Sequence, residues 1–304
     1  MAELWPEISE EKARESEGLR EAYEDIRATL RLRFVPWPFR VLAVQEKLFS
    51  HLWRELTPTI TDQLEEAADA VREQAVTHLL EEAEGSDHRA RLRDLGFSAD
   101  RIAQVQDRLQ VYHYVDPKLL ILFAALEEAL AGRPVGVRSV VVWPTGRGAP
   151  PFMPIPERVE PTEASGDVAR IFSEIRAKLE LPTVSDEYRT LARWPEYLPY
   201  AWEEIARLLE ADPYKTATDA VDRQAVQAMQ ELRRRMELRP EDLERLGVPE
   251  SERGELLQKV SAVRQALPGL VVQTAYLVLA LGGPEEARLS GDALLRRWIS
   301  PRVE

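Results

Sequence analysis

Residues 179–202 read "LELPTVSDEYRTLARWPEYLPYAW", and residues 30–53 read "LRLRFVPWPFRVLAVQEKLFSHLW". The two stretches carry apolar residues in the same places, but Asp186 in one stands where Trp37 stands in the other. A pattern that recurs with a change of polarity at one place predicts a duplicated scaffold with one chemically distinct position. A single asymmetric ligand would need each chemical group only once.

Three further pairs of segments match in the same order along the chain. Their offsets are 149, 150 and 151 residues, so the spacing drifts by only two residues. The pairs are YEDIRATL at 23–30 with FSEIRAKL at 172–179, AVREQAV at 70–76 with AVDRQAV at 220–226, and LRDLG at 92–96 with LERLG at 243–247. Residues of about 19–132 and 168–283 are therefore predicted to be two tandem homologous repeats.

Each repeat carries the periodicity of helices. Leu19, Tyr23, Ile26 and Leu30 recur at helical spacing with charged residues between them, as in an amphipathic helix that buries one face. Sustained strand alternation occurs only in "VGVRSVVVWP" at 135–144. The predicted fold class is all-α, with the two repeats forming a pseudo-dimer around a central cleft.

The segment "VDPKLLILFAALEEALAG" predicts a buried helix because its apolar residues are almost continuous. Its boundaries follow from common capping preferences. Asp116 is expected as the N-cap, Pro117 as the first helical residue and Gly132 as the residue just past the end.

The segment 133–167 is rich in proline and glycine and lacks a helical pattern, which is typical of a connector. The predicted organisation is a first repeat at 1–132, the connector at 133–167, and a second repeat with a C-terminal extension at 168–304. A connector of this length allows the second repeat to fold back on the first like the partner in an isologous dimer. Clefts between packed halves are preferred ligand sites.

Composition narrows the class of protein. The chain has 304 residues, 44% of them hydrophobic and 31% charged, which is typical of a soluble globular protein. The net charge of −13 argues against a nucleic-acid partner. The chain has no cysteine and only four scattered histidines, so no metal site is expected. The apolar runs are too short to span a membrane and the acidic start is unlike a signal peptide, so the expected location is the cytoplasm.

The sequence around Asp186 allows two interpretations of the role of this residue. Pro182 ends the preceding helix, Thr183 or Ser185 is expected as the next N-cap, and Asp186 then falls in or beside the first turn. In the first interpretation, Asp186 only complements the helix dipole and stabilises the helix by about 0.3–1 kcal/mol. In the other it points into the cleft as a general base. The local pattern is compatible with both a helix-stabilising role and a general base.

Together, "YEDIRATL…FVPWPFRVLA", "SEIRAKLELPTVSDEYRTLARWPEYLPYAW" and "YHYVDPKLLILFAAL" resemble the group I family of 2-haloacid dehalogenases over nearly the whole chain. The most specific part is the Ser-Asp pair before "YRTLARWPEYL". The resemblance implies an all-α pseudo-dimer that acts on D and L substrates without a cofactor. The implied reaction is hydrolysis of a short 2-halocarboxylic acid with inversion and without an enzyme ester.

The resemblance also implies roles for individual residues. Asp186 corresponds to the water-activating aspartate, Ser185 to its neighbour in the substrate pocket, and Phe39 to an aromatic pocket wall, with Trp37 as the alternative wall. Asp116 stands where the family pattern has an asparagine that helps to hold the catalytic water. If Asp116 faces the pocket, two alternatives stay open. An ionised Asp116 would accept but not donate hydrogen bonds and would repel an anionic substrate. Alternatively, Asp116 and Asp186 share a proton, as close carboxylates do.

The expected partner is a small carboxylic acid, and a homodimer is possible. The competing hypotheses are a non-catalytic small-molecule binding protein and a hydrolase of another small carboxylic acid on the same scaffold.

The matched pair Arg40 and Arg189 is expected to form structural salt bridges rather than to bind a substrate carboxylate. The matched pair Trp53 and Trp202 is expected in the core, and His113 at a partly exposed helix boundary.

Overall fold

The structure is a computed structural model that describes residues 3–83, 85–137, 146–236, 238 and 240–300. Within these residues there is no β-strand, only an isolated antiparallel bridge between Val135 and Met236. The all-α prediction is therefore confirmed. Most of the strand-like stretch at 135–144 lies outside the described residues.

The described helices form two consecutive runs and one C-terminal helix. The first helix run consists of α1 (Glu17–Leu30), α2 (Trp37–Leu42), α3 (Glu46–Leu56), α4 (Asp62–Ala83), α5 (His88–Asp94) and α6 (Ala99–Leu130). The second helix run consists of α7 (Gly166–Lys178), α8 (Asp186–Leu191), α9 (Leu198–Leu208), α10 (Asp212–Glu231), α11 (Pro240–Arg245) and α12 (Glu250–Ala287). The C-terminal helix is α13 (Gly291–Arg297).

The core lies between the two helix runs. The most extensive contact is between α6 and α12, the longest helix of each run, followed by that between α4 and α10. The six-residue helices α2 and α8 pack on the long helix of the opposite run, α2 on α12 and α8 on α6. The beginnings of α2 and α8 are thereby placed close to the contact between α6 and α12.

Helix α12 is the one helix in the described part of the chain that is long and apolar enough to cross a bilayer. In this structure, 78% of its most apolar 18-residue stretch is buried inside the protein. Its apolar surface is therefore accounted for by packing against α6 and α10, as in a core helix of a soluble protein.

Helix α6 corrects the prediction for Asp116. The helix begins at Ala99 after the N-cap Ser98 and continues through Asp116 and Pro117, so Asp116 is not an N-cap. A proline inside a helix removes one backbone hydrogen bond and frees the carbonyl four residues earlier. Here the freed carbonyl is that of His113, and Arg72 Nε donates to it at 2.9 Å. This contact explains why the helix tolerates its proline.

Other local predictions can be compared directly. Helix α6 ends at Leu130, and Gly132 follows with a φ of 74°, as predicted. Trp53 and Trp202 are buried in the core, also as predicted. The prediction for His113 is wrong, because its ring is buried and Nε2 is hydrogen-bonded to the carbonyl of Ala287. Burial lowers the pKa of His113 to about 3.

The contact between Arg72 and the freed carbonyl can be tested by mutation. We expect Arg72→Met to lower the free energy of unfolding by about 1–3 kcal/mol, because it leaves a buried carbonyl without a donor. Pro117→Ala supplies a backbone N–H for the same carbonyl, so Arg72→Met should cost less in that background. The measurement is urea unfolding of the four variants of this cycle. The matched control Arg288→Met removes an exposed ion pair and should cost less than about 1 kcal/mol. An equal cost in both backgrounds would contradict the role of this carbonyl.

Candidate active site

Three consecutive polar residues enter the core at the start of α8. Ser185 is the N-cap residue, with extended backbone angles, and Asp186 is the first helical residue, as predicted. Glu187 follows directly. All three side chains are buried, Asp186 with a relative exposure of 1%. Acidic residues are rarely buried unless they have partners, so each carboxylate needs an explanation.

Asp186 is held by two arginines and a backbone amide. Arg40 donates to both of its oxygens, Nη2 to Oδ1 at 2.7 Å and Nη1 to Oδ2 at 3.0 Å. The backbone N–H of Trp37 donates to Oδ2 at 3.1 Å, and Arg158 Nη1 does so at 3.3 Å. Burial alone would raise the pKa of Asp186, but Arg40 and Arg158 outweigh it and hold this pKa well below its usual range. Asp186 is therefore a fixed anion with little basicity.

Arg40 and Arg189 share an acidic partner from the N-terminal segment. Arg40 Nε and Arg189 Nη1 both donate to Glu7 Oε2, each at 3.1 Å. The Thr183 hydroxyl donates to the other oxygen of Glu7, also at 3.1 Å. The expectation that the matched arginines form structural salt bridges is confirmed. These ion pairs hold the beginnings of α2 and α8 against each other.

Glu187 and Asp116 form a second acidic pair, separate from the arginines. Both side chains are buried, the charge of Glu187 acts on the Asp116 carboxyl group, and Thr274 Oγ1 donates to Asp116 Oδ2 at 3.3 Å. Burial raises the pKa of Asp116 well above its ordinary value, and the charge of Glu187 raises it further; burial also raises the pKa of Glu187. Two close carboxyl groups in such surroundings rarely ionise together. The expected partner of Asp116 was Asp186, but Asp186 is paired with Arg40, and the larger charge effect on Asp116 comes from Glu187. Asp116 thus faces the contact between the helix runs.

Two buried polar atoms, one in this acidic pair and one next to it, have no hydrogen-bond partner. They are Ser185 Oγ and Glu187 Oε2. The Ser185 hydroxyl lies close enough to the Glu187 carboxyl to lower its pKa, although burial dominates. Buried polar atoms nearly always have a partner, either protein or an ordered small molecule. The arrangement suits a water or a small polar substrate beside Glu187.

The two predicted wall residues occupy different surroundings. Trp37 is buried at the start of α2, with its backbone N–H on Asp186. Phe39 lies in an aromatic cluster with Phe49, Trp53 and Phe123. Trp37 is therefore adjacent to the acidic residues, whereas Phe39 contributes to the core of the first helix run. Their substrate-binding roles stay predictions.

Three residues of this site, Glu187, Thr274 and Arg158, were not predicted from the sequence. A signal for Glu187 was present, since it stands opposite Pro38 when the matched stretches are aligned through Asp186 and Trp37. The same criterion of changed polarity would have selected it. Arg158 lies in the proline-rich segment between the helix runs, which has no counterpart in the repeat and gave no signal.

The fold and these side chains define a class of protein, an all-helical protein with a buried cluster of carboxyl groups. Carboxyl groups whose surroundings push their pKa values in opposite directions are typical of catalytic sites. In the part of the chain that the structure describes, no group of three or more His, Asp or Glu side chains could hold a metal ion.

Comparison with known proteins narrows this class. Residues 33–188 match the family model described as halocarboxylic acid dehydrogenase DehI. An (R)-2-haloacid dehalogenase of Pseudomonas putida is 27% identical over 267 residues, covering 86% of this chain and 89% of that protein. A configuration-inverting 2-haloacid dehalogenase of Pseudomonas sp. (strain 113) is 31% identical over 210 residues, covering 67% of each.

Solved structures agree with the sequence comparison. The structure of a D-2-haloacid dehalogenase mutant in complex with D-2-CPA has a TM-score of 0.84 and 26% sequence identity, with coverage of 92% of this chain and 96% of that chain. A D-2-haloacid dehalogenase in complex with L-LA has the same TM-score and identity. The chain therefore belongs to the DehI family.

The opposite pKa shifts predict opposite pH dependences of stability. The lowered pKa of Asp186 stabilises the fold above the ordinary pKa of an aspartate, and this contribution is lost as the pH falls below about 4. The raised pKa of Asp116 has the reverse effect, since stability is complete at low pH and is lost as the pH rises through that raised value.

Urea unfolding of two variants between roughly pH 3 and pH 9 checks this assignment. Asp116→Asn should remove the loss at high pH and change little below it. Asp186→Asn should cost about 3 kcal/mol near neutral pH, because it breaks a buried ion pair, and should flatten the loss at low pH. The same pH profile for Asp116→Asn and wild type would refute the raised pKa of Asp116.

Proposed function

We propose that this protein hydrolyses the carbon–halogen bond of short 2-halocarboxylic acids to give 2-hydroxy acids. The reaction proceeds with inversion, without a covalent ester and without a cofactor. Family membership and the relatives named as (R)- and configuration-inverting 2-haloacid dehalogenases support the substrate class. The observation that carries the mechanism is that Asp116 and Glu187 are buried and that Glu187 Oε2 has no hydrogen-bond partner. Burial raises the pKa of both carboxyl groups.

Glu187 is the better candidate for the base. A general base needs a free lone pair and a pKa that is not far below the working pH. Asp186 accepts four hydrogen bonds from Arg40, Trp37 and Arg158, and its pKa is strongly lowered. Glu187 has a raised pKa and an oxygen without an aligned partner.

In the proposed step, ionised Glu187 accepts a proton from a water molecule held beside Ser185. The water oxygen attacks C2 of the substrate from the side opposite the halogen. The C2–oxygen bond forms while the carbon–halogen bond breaks, and the halide leaves with the electron pair. Asp116 keeps its proton and donates a hydrogen bond to Glu187. An asparagine amide at this position could also donate a hydrogen bond. One positioned base contributes about 10²–10⁴-fold to such a rate.

Asp186 is retained as the second candidate for the base because the family resemblance assigns water activation to it. It lies directly beside Glu187 in α8. A rearrangement that freed it from Arg40 would be required before it could accept a proton. In its present contacts its proposed role is to fix α8 against Arg40 and the backbone of Trp37.

We also propose that the two helix runs are tandem repeats that form a pseudo-dimer, with segment 133–167 as the connector. The helices follow the same order of lengths in both runs. Arg31 and Glu180, 149 residues apart, both have left-handed backbone angles just after the first helix of their run. Trp53 and Trp202, also 149 residues apart, each donate to a carboxylate 28 residues earlier. Such local agreement favours duplication.

Substrate range and assembly are further parts of the proposal. Activity on D and L substrates is proposed from the resemblance to the group I enzymes, and the named relatives include both (R)-specific and configuration-inverting enzymes. The cytoplasmic location and a homodimer stay predictions. A small carboxylic acid is the proposed partner of the site.

Halide release from D- and L-2-chloropropionate tests the function and the base together. We expect wild type to release chloride and Glu187→Gln to lose about 10²–10⁴-fold in kcat while its unfolding free energy is retained. In wild type, kcat/KM should fall at high pH as Asp116 ionises. Asp116→Asn should remain active and should not show this fall, because it has no second carboxylate that can ionise. The control Glu157→Gln changes an exposed glutamate of the connector and should leave kcat unchanged.

Other outcomes would change the assignment. Full activity in Glu187→Gln, with loss in a folded Asp186→Asn, would return the base to Asp186. A folded wild type that releases no halide from either enantiomer would favour the non-catalytic binding protein. A single turnover in H₂¹⁸O separates direct attack from an enzyme ester, since direct attack places the label only in the product hydroxyl.

A further inference from the structure

The proposed substrate is an anion, yet the site is rich in carboxylates. Asp116, Asp186 and Glu187 lie together in the core, and an added carboxylate would be repelled unless a cation faced it. Two buried arginines beside these carboxylates, Arg40 and Arg189, are already occupied. Arg40 donates through all three of its nitrogens, to Glu7, Asp186 and the carbonyl of Val35.

Arg189 is committed through both of its Nη atoms, whereas its Nε is buried without a hydrogen-bond partner. Its Nη1 donates to Glu7 at 3.1 Å and to Glu160 at 3.3 Å, and its Nη2 donates to Thr183 at 2.7 Å. Its side chain is only 2% exposed. Releasing either Arg40 or Arg189 for a substrate would leave buried acidic groups without partners, which is costly.

Arg158 is different because it is held weakly. Its Nη1 donates to Asp186 Oδ2 at 3.3 Å, and its Nη2 lies 3.7 Å from Glu10 Oε1. No other hydrogen bond of its guanidinium is formed within the described residues. Its side chain is 16% exposed, whereas that of Arg40 is 3% exposed. Arg158 therefore has free donors and a route to solvent, and Asp186 keeps Arg40 if Arg158 turns away.

The backbone around Arg158 is nevertheless fixed. The N–H of Val159, the next residue, donates to the carbonyl of Arg189 at 3.0 Å. Further back, the N–H of Phe152 donates to the carbonyl of Trp298 at 2.9 Å, and Met153 and Pro156 are buried. The segment is thus attached on both sides of Arg158, so the side chain starts from a defined position at the edge of the site.

The surroundings connect Arg158 to the reacting groups. Its guanidinium lies 5.7 Å from the centre of the Phe34 ring, which packs edge-on against Tyr112. The Tyr112 hydroxyl is hydrogen-bonded to Thr190 at 2.6 Å. Burial raises the pKa of Tyr112, with Asp186 and Glu187 adding to the rise and Arg158 opposing it. Arg158 contacts Asp186, the residue that directly precedes Glu187 in α8.

We infer that Arg158 binds the carboxylate of the 2-haloacid, exchanging its long contact with Asp186 for a bidentate pair with the substrate. This inference rests on the proposed function. The planar guanidinium matches a carboxylate in shape and charge. Anchoring the carboxylate beside Asp186 would hold the neighbouring C2 at the start of α8, where Glu187 also lies. The connector thereby supplies the group that selects acids over their neutral derivatives.

Steady-state kinetics and ligand binding test this role. Arg158→Gln should raise KM for D-2-chloropropionate by about 10- to 100-fold, with a change in kcat of less than about threefold, because the contact is made equally before and during the reaction. Arg158→Lys should recover part of the loss, since it keeps the charge without the planar fork. The control Arg193→Gln removes an exposed arginine that pairs with Glu157 of the same segment and should leave KM unchanged.

Binding of lactate, the product of this reaction, gives a readout that does not require turnover. Calorimetry should show a Kd for lactate that is about 10-fold or more weaker in Arg158→Gln than in wild type. Preference for 2-chloropropionate over 2-chloropropionamide as a competing ligand should fall by a similar factor. If wild type and Arg158→Gln bind lactate equally, the inference is overturned. If Arg158 controls lactate binding but no halide is released, the acid-binding role stands and the proposed reaction fails.

Discussion

The buried ion pair between Asp186 and Arg40 is the interaction on which the site depends. It joins the first residue of α8 to α2, across the contact between the two helix runs. Burying two charges is favourable only when geometry is good and every remaining donor and acceptor is satisfied. Here the bidentate contact, the N–H of Trp37 and the shared Glu7 meet that condition.

That ion pair also sorts the acidic residues by chemistry. Asp186 and Glu187 are adjacent in α8, but successive residues of a helix point about 100° apart. Asp186 therefore faces the arginines, and Glu187 faces Asp116 on α6. The same burial leaves the first ionised and raises the pKa of the second. Environment rather than residue type decides which carboxylate is a fixed charge and which is able to exchange a proton.

The matched stretches differ in polarity at Trp37 and Asp186, and this difference changes the ion pairs around them. Trp37 stands where Asp186 would be matched, so Arg189 has no carboxylate from α2 and takes Glu7 from the N-terminal segment instead. Glu187 and Asp116 are likewise opposed by Pro38 and Leu267 in the matched stretches. Each of these acidic residues thus occurs in only one of the two matched stretches, as the proposed binding of a single asymmetric substrate requires.

By itself, the sequence determined that the chain is helical, where the polar segment Ser185-Asp186 lies, and that α8 begins there. Periodicity and capping preferences are local, so they can be recognised in one sequence. Tertiary structure alone decided that α6 continues through Pro117, because Arg72 from another helix satisfies the freed carbonyl. It also decided the separate roles of Asp186, Glu187 and Arg158, because ion pairing and burial depend on groups that are distant in the sequence and close only after folding.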